Sequence, residues 1–291
     1  MSVPLGFGEL LQLPFLQRAL LAGLLSGALG GVLGSFAVLR QLSFFSDALG
    51  HSALLGITLA ILLGLNPTLV LIPFAVLFAL GVNQLVQHSR LPADALLNIV
   101  YSSSLALAVV GLSRVGTYKG GIQQLLFGDI LGVSTLDLAM LLLLLLAVGT
   151  YLLLTRQSQI LLSLDEPLAI SRGVDVERHR LLFIVVLAVV VAISIKAVGV
   201  LLISAFVVIP ACASRLLSRN FTAYVLVAAG LGAGCAVLGL LLSGVLDLPS
   251  GPAVVVVQLL GFLLALFLAP RQGPSQGPGA DTGRPKRVGW S

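Results

Sequence analysis

The chain has 291 residues, of which 58% are hydrophobic and only 9% charged, with a formal net charge of +5 and a mean hydropathy of +1.12. An ordinary soluble domain carries about 25% charged residues, so this composition excludes a soluble globular protein. Two cysteines, Cys212 and Cys235, lie in apolar runs without a CxxC spacing, and read as small core residues rather than a disulfide or a metal site.

Apolar runs recur from Phe15 to Leu268, each long enough to cross a hydrocarbon core of about 30 Å at about 1.5 Å per residue. The half-polar alternation of a membrane barrel is missing, so the class is all-α: a polytopic helical bundle. Met1 to Gln12 has neither a positive residue nor a short apolar region with a cleavage site, so insertion is expected to use the first span itself. Nine spans are predicted, at about Phe15 to Leu39, Ser43 to Leu63, Thr68 to Gln87, Ala95 to Leu112, Leu136 to Leu154, Leu181 to Ile195, Val198 to Ser214, Phe221 to Gly244 and Pro252 to Leu268.

Basic residues collect on the cytoplasmic side of membrane proteins. With the N-terminus outside, the inner segments hold twelve of them, Arg40, Arg90 and Arg156 among these, and the outer segments hold only Arg18, Arg114, Lys119 and Lys196. That distribution predicts a cytoplasmic C-terminus. In the first span, Gly23, Gly27, Gly30, Gly31 and Gly34 recur at three- and four-residue spacing, which lets helix backbones approach closely. No Lys-Ser or Lys-Thr follows these glycines, so they are not a phosphate loop, and any ATP must be hydrolysed by another subunit.

Three connections exceed a tight turn. The outer one, Ser113 to Thr135, includes the half-apolar Leu125 to Leu131, suited to the interface or to a short buried helix. The inner one, Arg156 to Arg180, is rich in charge, and Pro167 stands where a short helix could begin. Its length suits either a solvated loop or a docking surface. The third, Leu246 to Pro252, is a turn shaped by two prolines and a glycine. The tail from Arg271 to Ser291, rich in Gly, Pro, Ser and basic residues, is expected to be disordered; Arg284 to Arg287 could meet anionic lipid, and nucleic acid is not expected.

An ionisable side chain within a membrane span is costly, by about 2.5 kcal/mol or more, and so marks a functional candidate. Asp47 and His51 stand first. Four residues apart on a helix, they can turn an oxygen and a nitrogen toward one point, a donor pair that suits zinc or manganese. Two ligands do not fill a metal's shell, so water or another helix must add the rest. The plainer reading is a polar pair hydrogen-bonded to itself. Asn98 and Ser102, with Tyr101 beside them, are possible pathway residues, although hydrogen bonds between helices would also account for them. Asp129 and Asp247, toward the outer side, could attract cations or simply cap turns. His88 and His179 read as surface residues and Lys196 as a snorkelling one. No HExxH, GxSxG or second membrane-embedded aspartate suited to a protease pair occurs, so the chain is not expected to be an enzyme.

Several stretches, in order, resemble the membrane permease subunit of bacterial zinc, manganese or iron ABC importers. They are Arg40 with Ser46-Asp47-Ala48-Leu49-Gly50-His51-Ser52-Ala53, then Leu126-Phe127-Gly128-Asp129-Ile130-Leu131, and Leu164-Asp165 with Ala169 and Gly173. Val198-Gly199-Val200-Leu201-Leu202 leading to Pro210-Ala211, and Asp247-Leu248-Pro249-Ser250-Gly251-Pro252, complete the series. The resemblance covers about Ala19 to Pro270; Gly50 and Ser52 stand where relatives often carry Ser and Ala. It implies a type II importer-like bundle in the inner membrane, with no permanently bound cofactor and a divalent metal ion as cargo. It further implies a second copy of the chain, an ATP-binding cassette ATPase and an extracytoplasmic metal-binding receptor as partners.

On this pattern Asp47 and His51 line the metal pathway, and Leu164, Asp165, Ala169 and Gly173 belong to the helix that couples to the ATPase. The chain then divides into an extracytoplasmic segment, 1–14, a transmembrane permease domain, 15–270, and a cytoplasmic tail, 271–291. On the residues alone, a secondary cation transporter working without an ATPase, or a non-transporting membrane scaffold, also fits.

Overall fold

The computed structural model describes residues 13–89, 91–114, 128 and 130–269. Among them, nine helices are long and apolar enough to cross a membrane. In chain order the helices are α1 (Pro14–Leu39), α2 (Phe45–Leu62), α3 (Pro67–His88), α4 (Ala93–Ser113), α5 (Thr135–Leu154), α6 (Arg156–Leu164), α7 (Glu166–Ser171), α8 (Val176–Val198), α9 (Val200–Leu217), α10 (Phe221–Leu246) and α11 (Ser250–Leu268). A 3-10 turn, Ile130–Gly132, precedes α5. Each predicted span has its helix. The spans are α1 to α5 and α8 to α11; α6 and α7 are short and lie together at one end of the bundle.

Local chemistry explains the helix ends. Pro14 starts α1, where a missing N–H costs nothing. Ser134 and Asp137 form a reciprocal capping box on α5, and Asn220 Oδ1 accepts the Ala223 N–H at the start of α10 (2.8 Å). Asp175 accepts the Arg178 N–H (3.1 Å), so α8 begins at Val176 rather than near Leu181. The hydropathy pattern misses this charged first turn because it is helical yet not apolar. Gly199, at φ 84°, separates α8 from α9, a conformation that a side chain would strain.

The glycines of α1 set the centre of the bundle. A Cβ at Gly27 would run into the Gly232 carbonyl of α10, one at Gly31 into the Ala228 carbonyl, and one at Gly34 into the Val207 carbonyl of α9. One at Gly30 would lie 2.6 Å from the Phe206 Cβ. Helix α1 therefore packs backbone to backbone between α9 and α10, as the small-residue spacing predicts. Around this pair, α11 packs on α9 and α10, while α2 is held by α3, α4, α8 and α9. Ile130 of the 3-10 turn is buried against the core beside Gly23, so this end of the outer connection tucks in rather than lying on the surface.

Helix α2 packs along α4. Its Thr58 meets Gly111 of α4, where a Cβ would fall 2.5 Å from Thr58 Cγ2, and Phe44, just before α2, packs edge-on against Tyr101 of α4 (6.0 Å between ring centroids). Asp47, in the first turn of α2, therefore comes to lie beside Asp94 and Asn98 in the first turns of α4.

Candidate functional site

The first two turns of α2 carry the site. Ser46, Ala48, Leu49, Gly50, Ser52 and Ala53 are buried around Asp47 and His51, whose side chains remain 35% and 27% exposed. A Cβ at Gly50 would run into Val200 Cγ1 of α9, so a side chain there requires Val200 to shift.

His51 Nε2 lies 3.6 Å from Asp47 Oδ1. This is too long for a strong hydrogen bond and leaves both donors free to converge on a third body. Tyr101 stands edge-on to the His51 ring at 5.1 Å, with an interplanar angle of 71°. The imidazole is thereby held by an aromatic neighbour rather than by a polar one.

Asp47 opens on a groove of about 470 Å³. Ser43 and Phe44 come from the turn before α2, Asp94 and Asn98 from α4, and Ser204 and Val208 from α9. The lining is largely apolar, from Phe44 and Val208 among others, and carries carboxylate, hydroxyl and amide groups at Asp47, Asp94, Ser43, Ser204 and Asn98. Ser102 donates to Asn98 Oδ1 (3.3 Å), leaving the Asn98 NH₂ without a partner in this bond. Of the sequence-predicted pathway residues, Asn98 lines the groove with Asp47, and Ser102 joins it only through its bond to Asn98. Asp247 is not: it caps the C-terminus of α10 in the left-handed conformation (φ 52°, ψ 43°) and is exposed in the turn to α11. Asp129 lies outside the described residues.

Sequence reasoning missed three members of this groove: Asp94, Ser43 and Ser204. Asp94 carried a usable signal, since Asp94, Asn98 and Ser102 recur every four residues and form one polar stripe on α4. Ser204 carried none, because its hydroxyl also donates to the Val200 carbonyl (3.0 Å), as an ordinary helical serine does.

At the far end of α5, the residues expected to couple to a partner take distinct places. Leu164, 66% exposed, ends α6. Asp165 accepts the Leu168 N–H (3.0 Å) and so caps α7, while Gly173, at φ 75° with open space around it, lets the chain leave α7. Ala169 is fully buried and faces the bundle. Exposed Leu168 and Ile170 present the outward apolar face instead. His88 is exposed and His179 partly exposed, their Nδ1 atoms bonded to the carbonyls of Gln84 and Asp175, and Lys196 pairs with Asp137 (3.0 Å).

A bundle with nine helices, among the described residues, long and apolar enough to cross a membrane, and with carboxylates facing a groove between three of its helices, has the architecture of a membrane transport protein. The chain belongs to the ABC 3 transport family, which it matches over residues 12–269, and is a permease subunit of an ABC transporter. It is 30% identical to the manganese transport system membrane protein MntC of Listeria monocytogenes over 264 residues, covering 91% of this chain and 94% of the relative. It is 31% identical to the high-affinity zinc uptake system membrane protein ZnuB of Haemophilus influenzae, covering 86% and 95%. In three dimensions it is similar to a chain in the structure of PsaBC from Streptococcus pneumoniae in complex with Fab, with a TM-score of 0.80, 29% identity and coverage of 91% of this chain and 96% of that one.

Proposed function

We propose that the chain imports a divalent transition metal ion, manganese or zinc, with Asp47 and His51 as its station in the membrane. The observation that carries this reading is the geometry of the pair: two unlike metal donors 3.6 Å apart, partly exposed, at the head of a groove with two further oxygen-bearing side chains from α4. The names of the relatives, for manganese and zinc, support the choice of cargo.

The incomplete donor set is consistent with transport. A full tetrahedral shell would hold zinc as a structural ion, whereas two protein donors plus water allow release. The groove lies on an open side of the chain, where a second copy would close it and add its own pair. ATP is hydrolysed by an ATP-binding cassette subunit that docks on the exposed Leu164, Leu168 and Ile170 around α7. A metal-binding receptor supplies the ion at the opposite face. The tail after α11 is then cytoplasmic, in an inner membrane, as the distribution of basic residues supports.

The test is uptake of manganese(II) and zinc(II) by cells carrying His51→Ala or Asp47→Asn. Each variant is expected to lose uptake by about tenfold or more with the complex still assembled. Uptake equal to wild type in both would remove the pair from the pathway, and metal transport by this chain without any ATPase would reject the ABC mechanism.

A further inference from the structure

The turn that precedes Asp47 is anchored in an unusual way. Arg40 follows α1, and a compact series of bonds leads from it to α2: Arg40 N–H to Phe36 O (3.1 Å), Leu42 N–H to Ala37 O (2.8 Å) and Phe45 N–H to Leu42 O (3.0 Å). Gln41 takes a left-handed conformation (φ 58°) although it is not glycine, and Leu42 and Phe45 are buried on either side. A turn so constrained moves as one piece with the first turn of α2.

The Arg40 side chain does not stay with its own turn. Its Nε donates to Ser163 Oγ (3.1 Å) and its Nη2 to the Gln159 carbonyl (3.1 Å) and to Gln159 Oε1, all on α6. The guanidinium carbon lies 4.3 Å from the centre of the Phe183 ring of α8. Gln159 is fully buried, and its Nε2 donates to the Tyr151 hydroxyl of α5 (2.7 Å). One guanidinium thus joins the end of α1 to α5, α6 and α8.

Burial lowers the Arg40 pKa to about 10, so the group is still a cation at neutral pH. Its hydrogen-bond acceptors are neutral groups. A buried charge of this kind is expensive to leave without them, which makes the contact with α6 hard to break and easy to pull on. Helix α6 passes to α7 through the single residue Asp165, and Glu166 of α7 is bound to Arg180 of α8 (2.6 Å). Between the Arg40 turn and this corner lies a cavity of about 290 Å³, lined by Leu42, Glu166 and Arg180 among others. The cavity lies beside the Arg40 bonds and leaves room for the corner to shift, while Gln159 and Ser163, which do not line it, hold the guanidinium directly.

We propose that Arg40, with Gln159 and Ser163, is the positioning joint that carries displacement of α7 to Asp47. It rests on the ATP-driven reading above. When α7 is pushed, α6 moves with it, Arg40 follows its acceptors, and the rigid turn shifts the start of α2 and the carboxylate of Asp47 within the groove. Arg40 itself touches no ion.

The experiment uses the whole transporter, this chain with its ATPase, in liposomes, and measures manganese(II) or zinc(II) uptake together with ATP hydrolysis. In Arg40→Lys, which keeps the charge but loses the planar fork, ions moved per ATP hydrolysed are expected to fall about tenfold while hydrolysis persists. If Arg40→Lys does not assemble, Ser163→Ala decides: a ratio lowered about threefold supports the joint, and an unchanged ratio overturns it. Uptake and hydrolysis falling in equal proportion would also overturn it, since a merely structural role does that. A wild-type complex that hydrolyses ATP yet moves neither ion rejects the importer reading and this inference with it.

Discussion

The Tyr101 ring of α4 stands edge-on to the His51 ring of α2, 5.1 Å between centroids. The same Tyr101 also receives Phe44 from the turn before α2, at 6.0 Å. One aromatic side chain of α4 therefore packs against both the residue that precedes α2 and the histidine of its second turn.

Edge-to-face pairs contribute about 0.5–1.5 kcal/mol beyond burial. Tyr101→Phe keeps the ring and is expected to leave uptake near wild type. Tyr101→Leu frees the imidazole and is expected to raise the half-saturating metal concentration by about two- to tenfold. The dependence of uptake rate on metal concentration checks both.

Asp94 adds a second carboxylate to the groove, on the same face as Asn98. Asp94→Asn keeps the shape and removes the charge. The expected result is a several-fold slower maximal uptake with a smaller change in half-saturation, because the primary pair at Asp47 is untouched. Initial rates over a range of manganese(II) concentrations separate the two effects.

Gly27 and Gly81 make a matched comparison. A Cβ at Gly27 would enter the backbone of Gly232, whereas one at Gly81 meets nothing within 4 Å. Gly27→Ala is expected to cost about 1–3 kcal/mol by overpacking α1 on α10. Gly81→Ala is expected to be neutral or to stabilise α3 by up to about 1 kcal/mol. Thermal unfolding of the detergent-purified chain would show opposite or unequal shifts.

Lys196 and Asp137 join α8 to α5 at 3.0 Å, beside an apolar cavity of about 180 Å³. Asp137 is 14% exposed, so losing its cation leaves a poorly solvated carboxylate. Lys196→Met is expected to cost about 1–3 kcal/mol, and adding Asp137→Asn to recover part of it. A double-mutant cycle in thermal stability measures the coupling.

Much of the architecture was legible from the chain because its signals are local. A run of apolar residues reports a span by itself, and the five α1 glycines report a close helix contact before its partner is known. The Asp47–His51 relation was legible for the same reason, since helical geometry fixes a four-residue separation. What escaped depends on distant segments meeting. Arg40 and Gln159 are 119 residues apart and Asp94 enters the groove only because α4 lies beside α2. Ala169 was picked out by the family resemblance as part of a coupling helix, and its burial inside the bundle is visible only in the tertiary packing.

The backbone seam between α1 and α10 has a mechanical meaning. Gly27 and Gly232 leave no side chain between the two helices, so no rotamer change can absorb a sliding of one past the other. A rearrangement of this bundle has to carry α1 and α10 together as one stiff strut.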